Sequence, residues 1–283
     1  NNVLEITIHP RGAELQKLYH KQNRLNYLWS GDPAFWGKFS PVLFPIVGTL
    51  KENLYHYQGR TYHLPRHGFA REKDFTVEYI SDGEAEFRLN EDADTMAVFP
   101  FPFVLSLLYK IEENRLTVTY TVENSGSSGM YFSIGAHPAF AVPLVQHTVY
   151  EDYRLEFSEN ETSGRYGLQD GLLKAETKPF LSNENSIQLT KELFAQDAIV
   201  LKDLISETIR LRSDMTPHGF TFSIKDWPDL GLWAAPDAPF VCIEPWQGHA
   251  DFTGHDQQLV HKSGMVNLQP GQKWKRSWWV EVF

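Results

Sequence analysis

Residues 105–111 read LSLLYKI and residues 116–122 read LTVTYTV, separated by the short turn 112–115, EENR. Apolar and polar side chains alternate through both runs. A period of two sends successive side chains to opposite faces of an extended chain, which a helix cannot do. Residues 77–80 (VEYI) and 86–89 (EFRL) read as half-buried strands in the same way, and strand-like runs recur to the end, as in 220–224 (FTFSI) and 278–282 (WWVEV). The segment 124–129, NSGSSG, is a longer turn. Helical pattern is scarce. Residues 33–36 (PAFW) fit one turn, 190–194 (TKELF) the start of a short helix, and 206–211 (SETIRL) fit either state. Many short strands with frequent turns predict an all-β sandwich or barrel. There is no internal repeat, low-complexity segment or long linker, so the expectation is a single domain over residues 1–283.

Composition narrows the partners. The chain carries 26 Lys and Arg against 36 Asp and Glu, a formal net charge of −10. That balance argues against a nucleic-acid groove or an anionic membrane surface. No apolar run approaches the roughly 20 residues of a membrane span, and the first residues lack the basic-then-apolar pattern of a leader. The single cysteine, Cys242, excludes an internal disulfide and fits a reducing cytoplasm. Whether two copies pair into a homodimer stays open.

The motifs of phosphate loops, dinucleotide folds, serine hydrolases and zinc proteases are absent. Cys242, between Val241 and Ile243, reads as a buried inert thiol. His63 and His67 have the spacing of helical zinc ligands, but Pro65 lies between them, so that helix is not available and no metal is expected.

Two titratable residues share one local context. His137, in 133–140 (SIGAHPAF), and Glu244, in 240–246 (FVCIEPW), each end an apolar run and precede a proline. Proline removes a ladder donor and holds the preceding residue extended. A carboxylate and an imidazole presented at strand ends suit a general base and a general acid. Either residue alone could equally be a satisfied core group. His67, followed by Gly68, marks a place where the backbone can approach a ligand closely, or a simple turn. Trp227, Trp233, Trp246 and Phe252 lie near Glu244 in sequence and could stack on a sugar face, with Arg71, Gln247, His249 and Asp251 as polar contacts.

Five segments then fall in the order of one family: 41–48 (PVLFPIVG), 67–71 (HGFAR), 99–103 (FPFPF), 135–140 (GAHPAF) and 242–248 (CIEPWQG). On these segments, which span essentially the whole chain, the sequence resembles the aldose 1-epimerase (galactose mutarotase) family. It is most similar to the LacX-type branch, found with sugar-utilisation genes in Gram-positive bacteria. The resemblance implies a large antiparallel β-sandwich, the galactose mutarotase-like supersandwich, with few short helices. It implies an isomerase that needs no cofactor and acts on a small sugar. Glu244 matches the general base and His137 the general acid. His67 matches a histidine near the sugar ring oxygen, and Asp197 an aspartate that binds hydroxyls.

One position departs from the family. Thr49 follows Gly48 where the family usually carries a substrate-binding arginine. Threonine offers no planar charged fork. Lys51 or Arg71 could compensate, or the substrate could differ. The mechanism expected is ring opening. Glu244 takes the anomeric hydroxyl proton, His137 as imidazolium protonates the ring oxygen, and closure from the other face gives the other anomer. A hexose-phosphate mutarotase, with Lys38, Lys51, Arg66 and Arg71 near the phosphate, and a non-catalytic sugar-binding or sensing protein are the alternatives.

Overall fold

The computed structural model describes residues 1–283. Its centre is a 15-stranded antiparallel sheet, running from Val42–Leu43 at one edge to Thr76–Ile80 at the other. Along the first edge the order is Val42–Leu43, Ile134–Ala136, Phe240–Gln247, Asp229–Trp233 and Ile199–Lys202. The long Tyr153–Gln169 and Leu172–Gln188 hairpin follows, then Thr208–Ser213, Phe220–Ser223, Lys273–Val282, Arg115–Asn124, Phe103–Glu112 and Glu84–Asn90. This is the large antiparallel β-sandwich that alternation and family pattern predict.

Phe103–Glu112 and Arg115–Asn124 pair in continuous register across Glu113 and Asn114. Their burial alternates as the hydropathy does. The reading of 77–80 as half-buried needs correction. Thr76–Ile80 is exposed throughout because it is the last strand of the sheet, so nothing covers its apolar side chains. Asp32–Trp36 forms one turn, with Trp36 N–H donating to the Asp32 carbonyl at 3.0 Å. Lys191–Phe194 is a short 3-10 helix, and the ambiguous segment becomes the Thr208–Ser213 strand. The α-helix Ala93–Val98 was not expected from its sequence. Its signal is the Asp92/Thr95 capping box, in which Asp92 Oδ1 accepts from Thr95 N–H at 2.7 Å.

One apolar core of 67 buried residues takes in Leu4 near the start and Val282 near the end. A second, separate cluster of six comprises Leu43, Val47, Leu173, Val200, Trp246 and Ala250. No helix is long and apolar enough to cross a membrane.

Candidate active site

Phe240–Gln247 is the strand on which the site is built. On one side it pairs without a break with Asp229–Trp233. On the other it meets two short strands in succession, Ala139–Ala141 against residues 240–242 and Ile134–Ala136 against 246–247. The gap between those strands is His137-Pro138. It lies opposite Ile243, Glu244 and Pro245, and there Ile243 N–H donates to the Pro138 carbonyl at 3.3 Å. Backbone donors alternate sides along a strand, so the donor missing at Pro245 would have pointed into the same gap. Each proline therefore sits where the ladder is already interrupted. Glu244 does not end its strand, as its sequence suggested; the strand continues to Gln247 and the break is in its neighbour.

The gap brings the two titratable groups together. His137 Nε2 and Glu244 Oε2 lie 3.3 Å apart, with the side chains 9% and 2% exposed. They are in contact but not aligned for a hydrogen bond, and Glu244 Oε2 and His137 Nδ1 have no partner. Burial pushes the Glu244 carboxyl well above the usual carboxylate range, and the nearby Arg66 only partly opposes this. Burial pushes His137 down to about 3, with Arg66 and Arg71 adding to the effect. Both shifts disfavour the charged forms, because water is excluded from the pair.

The pair lies on a cavity of about 320 Å³, lined by Trp36, Arg66, His67, Arg71, His137, Asp197, Ala198, Trp233, Glu244 and Trp246. Trp36 stacks on the His137 ring at 4.8 Å between centroids and 27° between planes, and Trp233 meets it edge-on at 5.7 Å. Trp36 gets there because the irregular stretch around it is tied to the sheet. Trp29 N–H donates to the Ala139 carbonyl, Ala139 N–H to that of Phe39, and the Trp29 indole to that of Trp36.

Trp246 lies two residues beyond Glu244 on the same strand face. Its indole fits because both flanking strands carry glycine beside it. A Cβ on Gly231 would come within 2.4 Å of the ring, and one on Gly135 within 2.6 Å. His67 reaches the pocket from a left-handed turn, with φ +68° at His67 and +70° at Gly68. A Cβ on Gly68 would lie 2.3 Å from the Phe44 carbonyl oxygen, so glycine is required there for space as well as for φ. Gly48 N–H donates to His67 Nδ1 at 3.1 Å, which puts the proton of the neutral ring on Nε2. Arg66 Nε, 3.3 Å from that atom, then faces it as a second donor rather than as a partner. Burial holds His67 well below its ordinary value, consistent with a neutral ring.

Eight of the residues singled out from sequence thus share one pocket: Glu244, His137, His67, Arg66, Arg71, Asp197, Trp233 and Trp246. Lys51 does not line it. Its ammonium donates to the His255 carbonyl at 3.2 Å, because its backbone N–H is drawn to Asp251 Oδ2. Thr49 packs against Gly171 rather than into the pocket. Asp251, His249 and Gln247 are also elsewhere. Asp251 pairs with the buried Lys262 at 2.8 Å, His249 Nε2 faces Lys202 and Ser263, and Gln247 accepts from Arg276. Trp227 packs on Tyr120 and Trp274, and Phe252 on Tyr166. The residue missed from sequence is Trp36, for which no local signal exists.

Known proteins resemble the chain over its length. A family model described as aldose 1-epimerase matches residues 1–278. The chromosomal Protein LacX of Lactococcus lactis subsp. lactis is 32% identical over 292 residues, covering 100% of this chain and 97% of that protein. The crystal structure of a galactose mutarotase related enzyme from Lactobacillus acidophilus superposes with a TM-score of 0.95 at 33% identity, covering 100% of this chain and 95% of that one. A galactose mutarotase-like protein from Lactobacillus casei does so with 0.93 at 32%, covering 100% and 98%.

Proposed function

The chain belongs to the aldose 1-epimerase family, and from that premise we propose that Glu244 and His137 open and reclose the ring of an aldohexose, interconverting its α and β anomers. The observation that carries this reading is the buried acid–imidazole contact at 3.3 Å on a pocket walled by tryptophans and polar groups.

The mechanism needs one proton on the pair. Carboxylic acid with neutral imidazole, and carboxylate with imidazolium, hold the same number. Moving that proton from Glu244 to His137 arms the site without exchange with solvent. Glu244 then takes the proton of the anomeric hydroxyl as His137 protonates the ring oxygen, and the C1–O5 bond breaks. The open aldehyde turns about C1–C2. On closure from the opposite face the ring oxygen returns its proton to His137, and Glu244 gives its proton to the former aldehyde oxygen, which becomes the new anomeric hydroxyl. No electrons are transferred and no outside nucleophile adds. Positioned acid–base groups of this kind contribute roughly 10²–10⁴-fold each. His67 Nε2–H and Asp197 hold sugar oxygens, while Trp36, Trp233 and Trp246 cover C–H faces. A reducing, cytoplasmic setting belongs to the same reading, since the lone thiol is buried and unpaired.

Polarimetry or NMR on freshly dissolved α-glucose and α-galactose tests it. Mutarotation no faster than in buffer would defeat the assignment for those sugars. A second reading is favoured by one observation: two guanidinium groups, Arg66 and Arg71, line the pocket of a chain whose net charge is −10. A phosphorylated aldose would suit them. Competition by inorganic phosphate supports this version, and indifference to phosphate favours the neutral sugar.

A further inference from the structure

We propose that His137, Cys242 and Glu244 form a site for a thiophilic divalent cation such as Zn²⁺ or Cd²⁺, and that a cation held there silences the pocket. The silencing clause rests on the mutarotase reading; the binding clause does not.

Cys242 and Glu244 are two apart on one strand, so their side chains share a face. Cys242 pairs across with Ala139, two residues beyond His137. This register gathers the three groups, and one ligand atom from each lies within 4.8 Å of the other two. The residues are 7%, 0% and 1% exposed for His137, Cys242 and Glu244. Glu244 Oε2 is buried with no hydrogen-bond partner, so an unused acceptor already faces the cluster.

The chemistry of the set is selective. Zinc takes thiolate at about 2.3 Å and imidazole or carboxylate at about 2.0–2.2 Å in tetrahedral sites, which separates neighbouring donors by roughly 3.3–3.7 Å. The His137–Glu244 contact of 3.3 Å already meets that spacing. Thiolate and imidazole suit zinc and cadmium, whereas Mg²⁺ and Ca²⁺ require a shell of oxygens. The cavity that His137 and Glu244 line supplies the entry path, while Cys242 is fully buried and does not line it. Binding releases two protons, the thiol's and the one shared by the acid–imidazole pair. Both catalytic lone pairs are then taken by the metal.

The test uses the purified full chain in chelator-treated buffer with Zn²⁺, Cd²⁺ or Mg²⁺ alone. Zn²⁺ and Cd²⁺ are expected to suppress mutarotation and Mg²⁺ to leave it unchanged. Cd²⁺ should add a thiolate-to-metal absorption band. Cys242→Ala, which removes no group from the acid–base pair, should keep the basal rate, lose the band and bind Cd²⁺ at least ~10-fold more weakly by calorimetry. Cys242→Ser serves the same comparison if the alanine variant folds poorly. A wild-type chain with no thiolate band, or a Cys242 variant that binds Cd²⁺ as tightly as wild type, overturns the proposal. The band and the calorimetry do not depend on turnover, so they decide it even if every sugar tested proves inert.

Discussion

His137 and Glu244 meet because two residue–proline steps, His137-Pro138 and Glu244-Pro245, face one another across adjacent strands where the ladder is broken. The break gives the imidazole room to turn toward the carboxyl at 3.3 Å, while the unbroken pairing of residues 229–233 with 242–246 on the far side holds the Glu244 backbone in place. Rigidity on one side and a gap on the other are what a positioned acid–base pair requires.

If the pair works as one unit, Glu244→Gln and His137→Asn should each lower kcat by roughly 10²–10⁴-fold. The double variant should lose little more than the worse single one. Mutarotation rates by polarimetry check this. A Glu244→Gln variant at wild-type rate would remove Glu244 from the base role.

The pH profile follows from the two shifts. The reactive pair carries one proton. On the acid side it fails when a second proton binds, and His137, depressed to about 3, resists that until well below its ordinary value. On the basic side it fails when the last proton leaves, and Glu244, raised by burial, retains it far above the usual carboxylate range. The expected kcat/KM profile is bell-shaped and flat through neutrality, with limbs that belong to the pair rather than to either residue. A rate that rises steadily through pH 6.5, the ordinary histidine value, would contradict it.

Trp36 both covers and steers the imidazole. Trp36→Ala should lose about 1–2 kcal/mol of transition-state stabilisation, roughly tenfold in kcat/KM, and admit water to His137. Trp36→Phe keeps a ring over the imidazole and should recover most of the rate. Equal losses in the two variants would count against stacking as the cause.

The buried Lys262–Asp251 pair, at 2.8 Å, braces the segment that holds His67. Asp251 also accepts from Lys51 N–H and donates its own N–H to the Thr49 carbonyl, one residue from the Gly48 contact with His67. Lys262→Met strands a buried carboxylate and should cost about 3–5 kcal/mol. Thermal or denaturant unfolding measures this. One core takes in residues from both ends of the chain, so we propose that the 283 residues form one domain and expect a single transition.

Gly231 leaves the space the Trp246 ring occupies. Gly231→Ala should overpack it, at about 1–3 kcal/mol, and displace a pocket wall. A raised KM together with altered tryptophan fluorescence is the expected result; unchanged KM would show that the wall yields without consequence.

Much of the fold is legible along the chain. A strand's period is carried by adjacent residues, so LSLLYKI and LTVTYTV predict their own pairing and faces. Thr76–Ile80 shows where that stops: its pattern is that of a covered strand, but its position at the sheet edge is set by the order of the other strands. The candidate site divides similarly. His137 and Glu244 are marked locally by the prolines that follow them, and His67 by Gly68. Lys51 carried a chemical expectation that its backbone neighbours redirect, toward Asp251 and the His255 carbonyl.

The all-β class, the family pattern and the titratable pair can be read along the chain, because periodicity, turn chemistry and motif are properties of neighbours. The fold sets that Trp36 stacks on His137, that Cys242 stands beside the pair and that burial disfavours charge on both groups. Those depend on strand register and on the exclusion of water, which arise only when distant segments close over one another.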